Sequence, residues 1–140
     1  MKRFIIVLLL LTGCSTGTLE GQKPPQLQLI IEDRVEQAVL GTYCWGNQCE
    51  DALPPKEIVE NISKVQPNTR VQLKIGAPLP TDVELTEVVE DQQTITLKIE
   101  EQSFIAPSKP GTYYYNYSAW WKVDGAVQGD AHYAFALEVE

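Results

Sequence analysis

Apolar and polar residues alternate one for one along most of this chain, and a repeat of two suits only a half-buried β-strand. Leu27, Leu29 and Ile31 alternate with Gln26, Gln28 and Ile30, and Val71, Leu73 and Ile75 with Arg70, Gln72 and Lys74. Ile95, Leu97 and Ile99 alternate with Thr94, Thr96 and Lys98. Val83, Leu85, Glu87 and Val89 form another row, interrupted by one charge, and Phe104 and Ala106 a short piece ended by Pro107. Val35, Ala38, Val39 and Tyr43 lie in a further segment that Gly41 bends. After Pro110-Gly111 a long aromatic strand runs from Thr112 to Val123. The last strand sets Tyr133, Phe135, Leu137 and Val139 against Ala134, Ala136 and Glu138.

Only Lys56 to Lys64 reads as helix, with Ile58, Val59 and Ile62 at helical spacing after Pro54-Pro55. It predicts at most about two turns, capping one end of the core. About seven or eight short strands, turns at regular intervals and no alternating helices predict an all-β fold, a β-sandwich of immunoglobulin-like topology. The inter-sheet disulfide of antibody domains is not expected. Cys44 and Cys49 are too close in sequence to bridge two sheets.

The N-terminus carries a different signal. Leu11-Thr12-Gly13-Cys14 follows a basic start (Lys2, Arg3) and an apolar run from Phe4 to Leu11. That is the pattern of a bacterial lipoprotein signal peptide, with Cys14 as the lipid-bearing residue. Spanning a bilayer takes about 20 apolar residues, so this run is too short for a transmembrane helix; an ordinary cleaved secretory signal is the second reading. The expected organisation is a signal peptide over residues 1–13, a lipidated N-terminus and flexible tether over 14–25, and the sandwich over 26–140. The membrane is then a partner through diacylglycerol on Cys14, since two acyl chains, at roughly 0.8 kcal/mol per buried methylene, anchor stably where one does not. The expected location is the outer face of the cytoplasmic membrane, or the outer membrane in a Gram-negative source.

The chain has 11 Lys and Arg against 19 Asp and Glu, a net charge of −8, and loss of the leader with Lys2 and Arg3 takes it to −10. Such a balance lacks the electrostatic footprint of a nucleic-acid binder and opposes lying flat on an anionic membrane. In an oxidising compartment Cys44 and Cys49 are expected to pair, with Gly46-Asn47 turning the chain between them. A reactive pair usually sits two residues apart at a helix start. One histidine, His132, and no second cysteine pair cannot complete a zinc site. No cofactor is expected.

The lipobox, the Tyr43-Cys44-Trp45-Gly46 segment with Cys49, Glu50 and Asp51, and the ending from Pro110 through the tyrosines to Gly129-Asp130-Ala131-His132-Tyr133 together resemble small surface lipoproteins of Gram-positive bacteria. The likeness covers roughly residues 39–140. It implies a bacterial immunoglobulin-like domain on the outer face of a single-membrane cell, and it supplies no catalytic residues.

Two stretches stand out as candidate binding surfaces. In the aromatic strand, alternation places Tyr113, Tyr115, Tyr117 and Trp121 on one face, assigned inward, and Tyr114, Asn116, Ser118 and Trp120 on the other. Tyr114 and Trp120 are therefore candidate platforms for a sugar or peptide, against the alternative that the whole stretch is packing. The loop from Trp45 to Lys56 offers an aromatic (Trp45), amides (Asn47, Gln48) and carboxylates (Glu50, Asp51) on a disulfide-pinned frame, and rigid loops lose less entropy on binding. The alternative is that Trp45 covers the end of the sandwich. His132, on the outward phase two residues after Asp130, reads as a surface histidine. No nucleophile elbow, zinc-protease motif or phosphate loop occurs. The expected function is a non-catalytic, lipid-anchored extracytoplasmic domain that binds an envelope protein, peptide or glycan. The alternatives are a cell-wall-associated enzyme accessory factor and an inhibitor or immunity-like protein.

Overall fold

The computed structural model describes residue 19, residues 21–90 and residues 92–140. Cys14 and the leader lie outside the described residues. The first strands are β1 (Leu27–Ile31), β2 (Arg34–Gln37), β3 (Val39–Trp45) and β4 (Gln48–Glu50). A single helical turn, α1 (Pro55–Ile58), precedes β5 (Ser63–Val65), β6 (Arg70–Ile75), β7 (Asp82–Glu90) and β8 (Gln93–Leu97). The chain ends with β9 (Ser103–Ile105), β10 (Gly111–Val123) and β11 (Ala126–Val139).

These strands form two sheets. The smaller runs β2-β1-β6-β9, and the larger β4-β3-β11-β10-β7-β8, with β5 added beside β11. From β5 onward the connectivity is that of an immunoglobulin-like sandwich: β6 pairs with β9 in one sheet, β7 with β8 and β10 in the other, and β10 with β11. The strand β5 runs parallel to β11, and every other pairing is antiparallel. Tyr113 donates its hydroxyl to the Lys109 carbonyl at 2.8 Å, closing the corner where β10 begins. Sandwich domains commonly use a tyrosine this way.

Alternation explains which side chains fill the core. Leu27, Leu29, Ile31, Val71, Leu73 and Phe104 from the small sheet meet Tyr43, Trp45, Tyr115, Tyr117, Trp121, Tyr133, Phe135 and Leu137 from the large one. Phe104 reaches across to Tyr115, centroids 5.1 Å apart, and Tyr115 stacks on Phe135 at 5.0 Å. Burial raises the phenols of Tyr115 and Tyr133 well above their ordinary range and that of Tyr117 to about 12.

The structure has more strands than the alternation predicted, because β4 and β5 are too short to show a period and one expected strand is divided. The segment expected as one strand around Gly41 is two, β2 and β3, which belong to different sheets. The expected helix over Lys56–Lys64 stops at Ile58, where Val59 is already extended, and Ser63–Val65 instead pairs with Leu137–Val139. Nor does that turn cap the end of the core; it packs on the outer face of the large sheet, where Ile58 Cδ1 stands 3.5 Å from the position a Gly41 Cβ would occupy. The end of the expected tether is seated on the sandwich. Pro24 is buried, and the Tyr133 hydroxyl donates to the Pro25 carbonyl. A Cβ at Gly129 would lie 2.6 Å from Leu19 Cδ1 and 2.9 Å from Trp45 Cε3, so only glycine allows both to pack there.

Candidate binding groove

The outward phase of β10 carries Tyr114, Asn116, Ser118 and Trp120, all on the exterior of the large sheet. Register extends this row sideways. Asn116 stands between Ala134 of β11 and Thr86 of β7, and Thr86 faces Thr96 of β8. Ser118 stands between His132 and Glu84, and Tyr114 between Ala136 and Val88. The segment from Ala52 through α1 folds back over β3 and β11, held at its start by the Ala52 amide donating to Thr42 Oγ1 at 3.0 Å.

Between that segment and the strands lies a groove of about 480 Å³, within the range of small-ligand pockets. Its floor takes side chains from five strands: Thr42 of β3, His132 and Ala134 of β11, Asn116 of β10, Thr86 and Val88 of β7, and Thr94 of β8. Leu53, Pro54, Pro55 and Ile58 make its wall, and Gln92 lies at the β8 end. At about 4.8 Å per strand, a ligand crossing all five would extend roughly 20 Å. No Asp, Glu, Lys or Arg lines this groove among the described residues, in a chain of net charge −8.

A polar chain supports one end of the floor. Asn116 Nδ2 donates to Ser118 Oγ at 3.1 Å, and Ser118 Oγ lies 2.8 Å from His132 Nδ1. On the other side of the ring, His132 Nε2 faces Asp130 Oδ1 at 3.9 Å. Trp120 meets the same ring edge-on, centroids 6.4 Å apart. Serine, histidine and aspartate in contact resemble a nucleophile and its base, but Ser118 is 6% exposed and its oxygen already accepts from Asn116. A nucleophile must reach a substrate atom. The chain's effect is to fix the His132 ring.

Sequence-predicted site residues divide clearly. Cys44 and Cys49 are joined by a disulfide between directly opposed positions of β3 and β4, turned by Gly46 at φ 60°. Trp45 is 3% exposed and packs edge-to-face on Trp121, centroids 4.8 Å apart, so its ring is a core element and offers no platform. Its position two residues after the inward Tyr43 dictates that orientation. Asn47 and Asp51 are exposed at the hairpin and just beyond it, outside the groove lining. Tyr114 and Trp120 are half-buried on the outer face, flanking Asn116 and Ser118. His132 is half-buried in the polar chain rather than freely solvated. Thr42, Thr86 and Thr94 carried no motif in the sequence; their signal was only the lack of charge on outward positions of an acidic chain.

No group of three His, Cys, Asp or Glu side chains among the described residues could hold a metal ion. Comparison with protein-family models, curated proteins and solved structures returns no match.

Proposed function

We propose that this chain is a lipid-anchored, non-catalytic binding domain of the bacterial cell envelope, and that its ligand lies in the groove on the outer face of the large sheet. The observation that carries this reading is the groove's composition. Five strands each contribute a hydroxyl, amide, imidazole or small apolar side chain, and the wall is proline and aliphatic. Uncharged donors and acceptors over apolar surface suit a neutral glycan or an extended peptide, whose own groups are of the same kinds. The leader pattern ending at Cys14 and the Cys44–Cys49 disulfide support placement outside the cytoplasm.

Isotope-labelled protein titrated with a solubilised digest of envelope glycan and peptide tests this reading. Shifts in the amide signals of Thr42, Thr86, Thr94 and Asn116, saturating with added digest, are expected. Shifts confined to the β3–β4 hairpin, or none, would place the ligand elsewhere and remove the groove from the proposal.

A further inference from the structure

Apart from the three-residue β5, which carries Lys64 and lies beside β11, four strands form the free edges of the two sheets: β2 and β9 of the small one, β4 and β8 of the large one. Proteins normally guard such edges with charge, proline or brevity. Three of these are guarded: β2 carries Arg34 and Glu36, β4 ends at Glu50, and β9 has three residues. The fourth, β8, reads Gln93-Thr94-Ile95-Thr96-Leu97, five residues without charge or proline. Its Ile95 lies on the core-facing phase opposite Glu87, yet is 51% exposed because the sheet ends there.

We propose that two copies of this chain pair antiparallel along β8, about a two-fold axis at Ile95. The segment reads nearly the same in both directions about that residue. Ile95 meets Ile95 of the partner subunit, and Thr94 meets Thr96 of the partner subunit. Both strands are uncharged, so two acidic chains join here without opposing like charges across the pair. The axis stands perpendicular to the sheet, which leaves both outer faces looking the same way. The groove opens toward β8 at Thr94 and Gln92, so the pairing sets two grooves end to end across one continuous sheet. That joined groove rests on the function proposed above; the dimer does not. Anchoring to one membrane would raise the effective concentration of the copies.

Cysteine coupling in membranes of cells making the full chain tests the geometry. Opposed residues of an antiparallel pair have Cα atoms about 4.5–5.5 Å apart, inside disulfide range. Ile95→Cys is expected to give a covalent dimer on mild oxidation. Val35→Cys, 61% exposed on the β2 edge, is not, and the unsubstituted chain reports any coupling through Cys14. In a second measurement the purified full chain in detergent should sediment as a dimer. Ile95→Lys should sediment as a monomer with an unchanged thermal midpoint. Equal coupling of Ile95→Cys and Val35→Cys, or no change of mass on Ile95→Lys, would overturn the pairing.

Discussion

Trp45 and Trp121 meet edge-to-face at 83°, one from each side of Gly129, and close the end of the sandwich near the β3–β4 hairpin. Trp121 is further held by its indole N–H, which donates to the Pro78 carbonyl at 2.8 Å. Truncating a buried tryptophan costs about 3–5 kcal/mol. Trp45→Ala should therefore lower stability by that amount in denaturant unfolding. Any loss of partner binding in that variant reports unfolding, not a lost contact.

Two tyrosines two residues apart should respond oppositely to loss of their hydroxyls. The Tyr113 hydroxyl is paired with the Lys109 carbonyl, and Tyr113→Phe should cost about 1 kcal/mol. The Tyr115 hydroxyl is buried without a hydrogen-bond partner among the described residues. Tyr115→Phe removes an unsatisfied polar atom and should leave stability unchanged or raise it. Chemical denaturation of the two variants checks this pair.

Glu87 lies on the core-facing phase of β7, in register with Tyr115, and partial burial raises its carboxyl above the ordinary 4.5. A raised value means that the folded chain holds this proton more tightly than the unfolded one. The stability Glu87 contributes is therefore complete below about pH 4.5 and is lost as pH rises through the raised value. Glu87→Gln should raise the thermal midpoint at neutral pH relative to the unsubstituted chain, with the difference vanishing in acid. A difference of the same size at both pH values would mean that titration is not its source.

The Cys44–Cys49 bond closes a short loop, which the chain-entropy model values at about 2 kcal/mol. The paired substitution Cys44→Ser with Cys49→Ser should lose about that much in denaturant unfolding. The single turn α1, tied to β3 through Ala52 and Thr42, should gain amide exchange in the same variant.

Strands whose one face is core were legible in the sequence. In β1, β6 and the middle of β10, apolar side chains at every second position recorded burial directly. The first five residues of β11, Ala126 to Asp130, have no such record. They form a strand because the second arm of a hairpin with β10 must pair there, whatever its own side chains prefer. Ile62 sits at helical spacing from both Ile58 and Val59, yet parallel pairing of Ser63–Val65 with β11 draws the chain out straight. The groove was the least legible element. Thr42, Thr86, Thr94, Asn116 and His132 are single neutral residues on separate strands, and only strand register brings them to one floor.

The most direct test of the central claim is site-specific photo-crosslinking in intact cells. The crosslinker is placed at Leu53 on the groove wall and, in a second chain, at Leu79, which is exposed and outside the groove lining. Envelope material should become attached at Leu53 and not at Leu79, on a membrane-fraction protein whose mass shows diacylglycerol at Cys14. Equal labelling at both positions, or an unmodified Cys14 with the leader still attached, would contradict a lipid-anchored domain that binds through this groove.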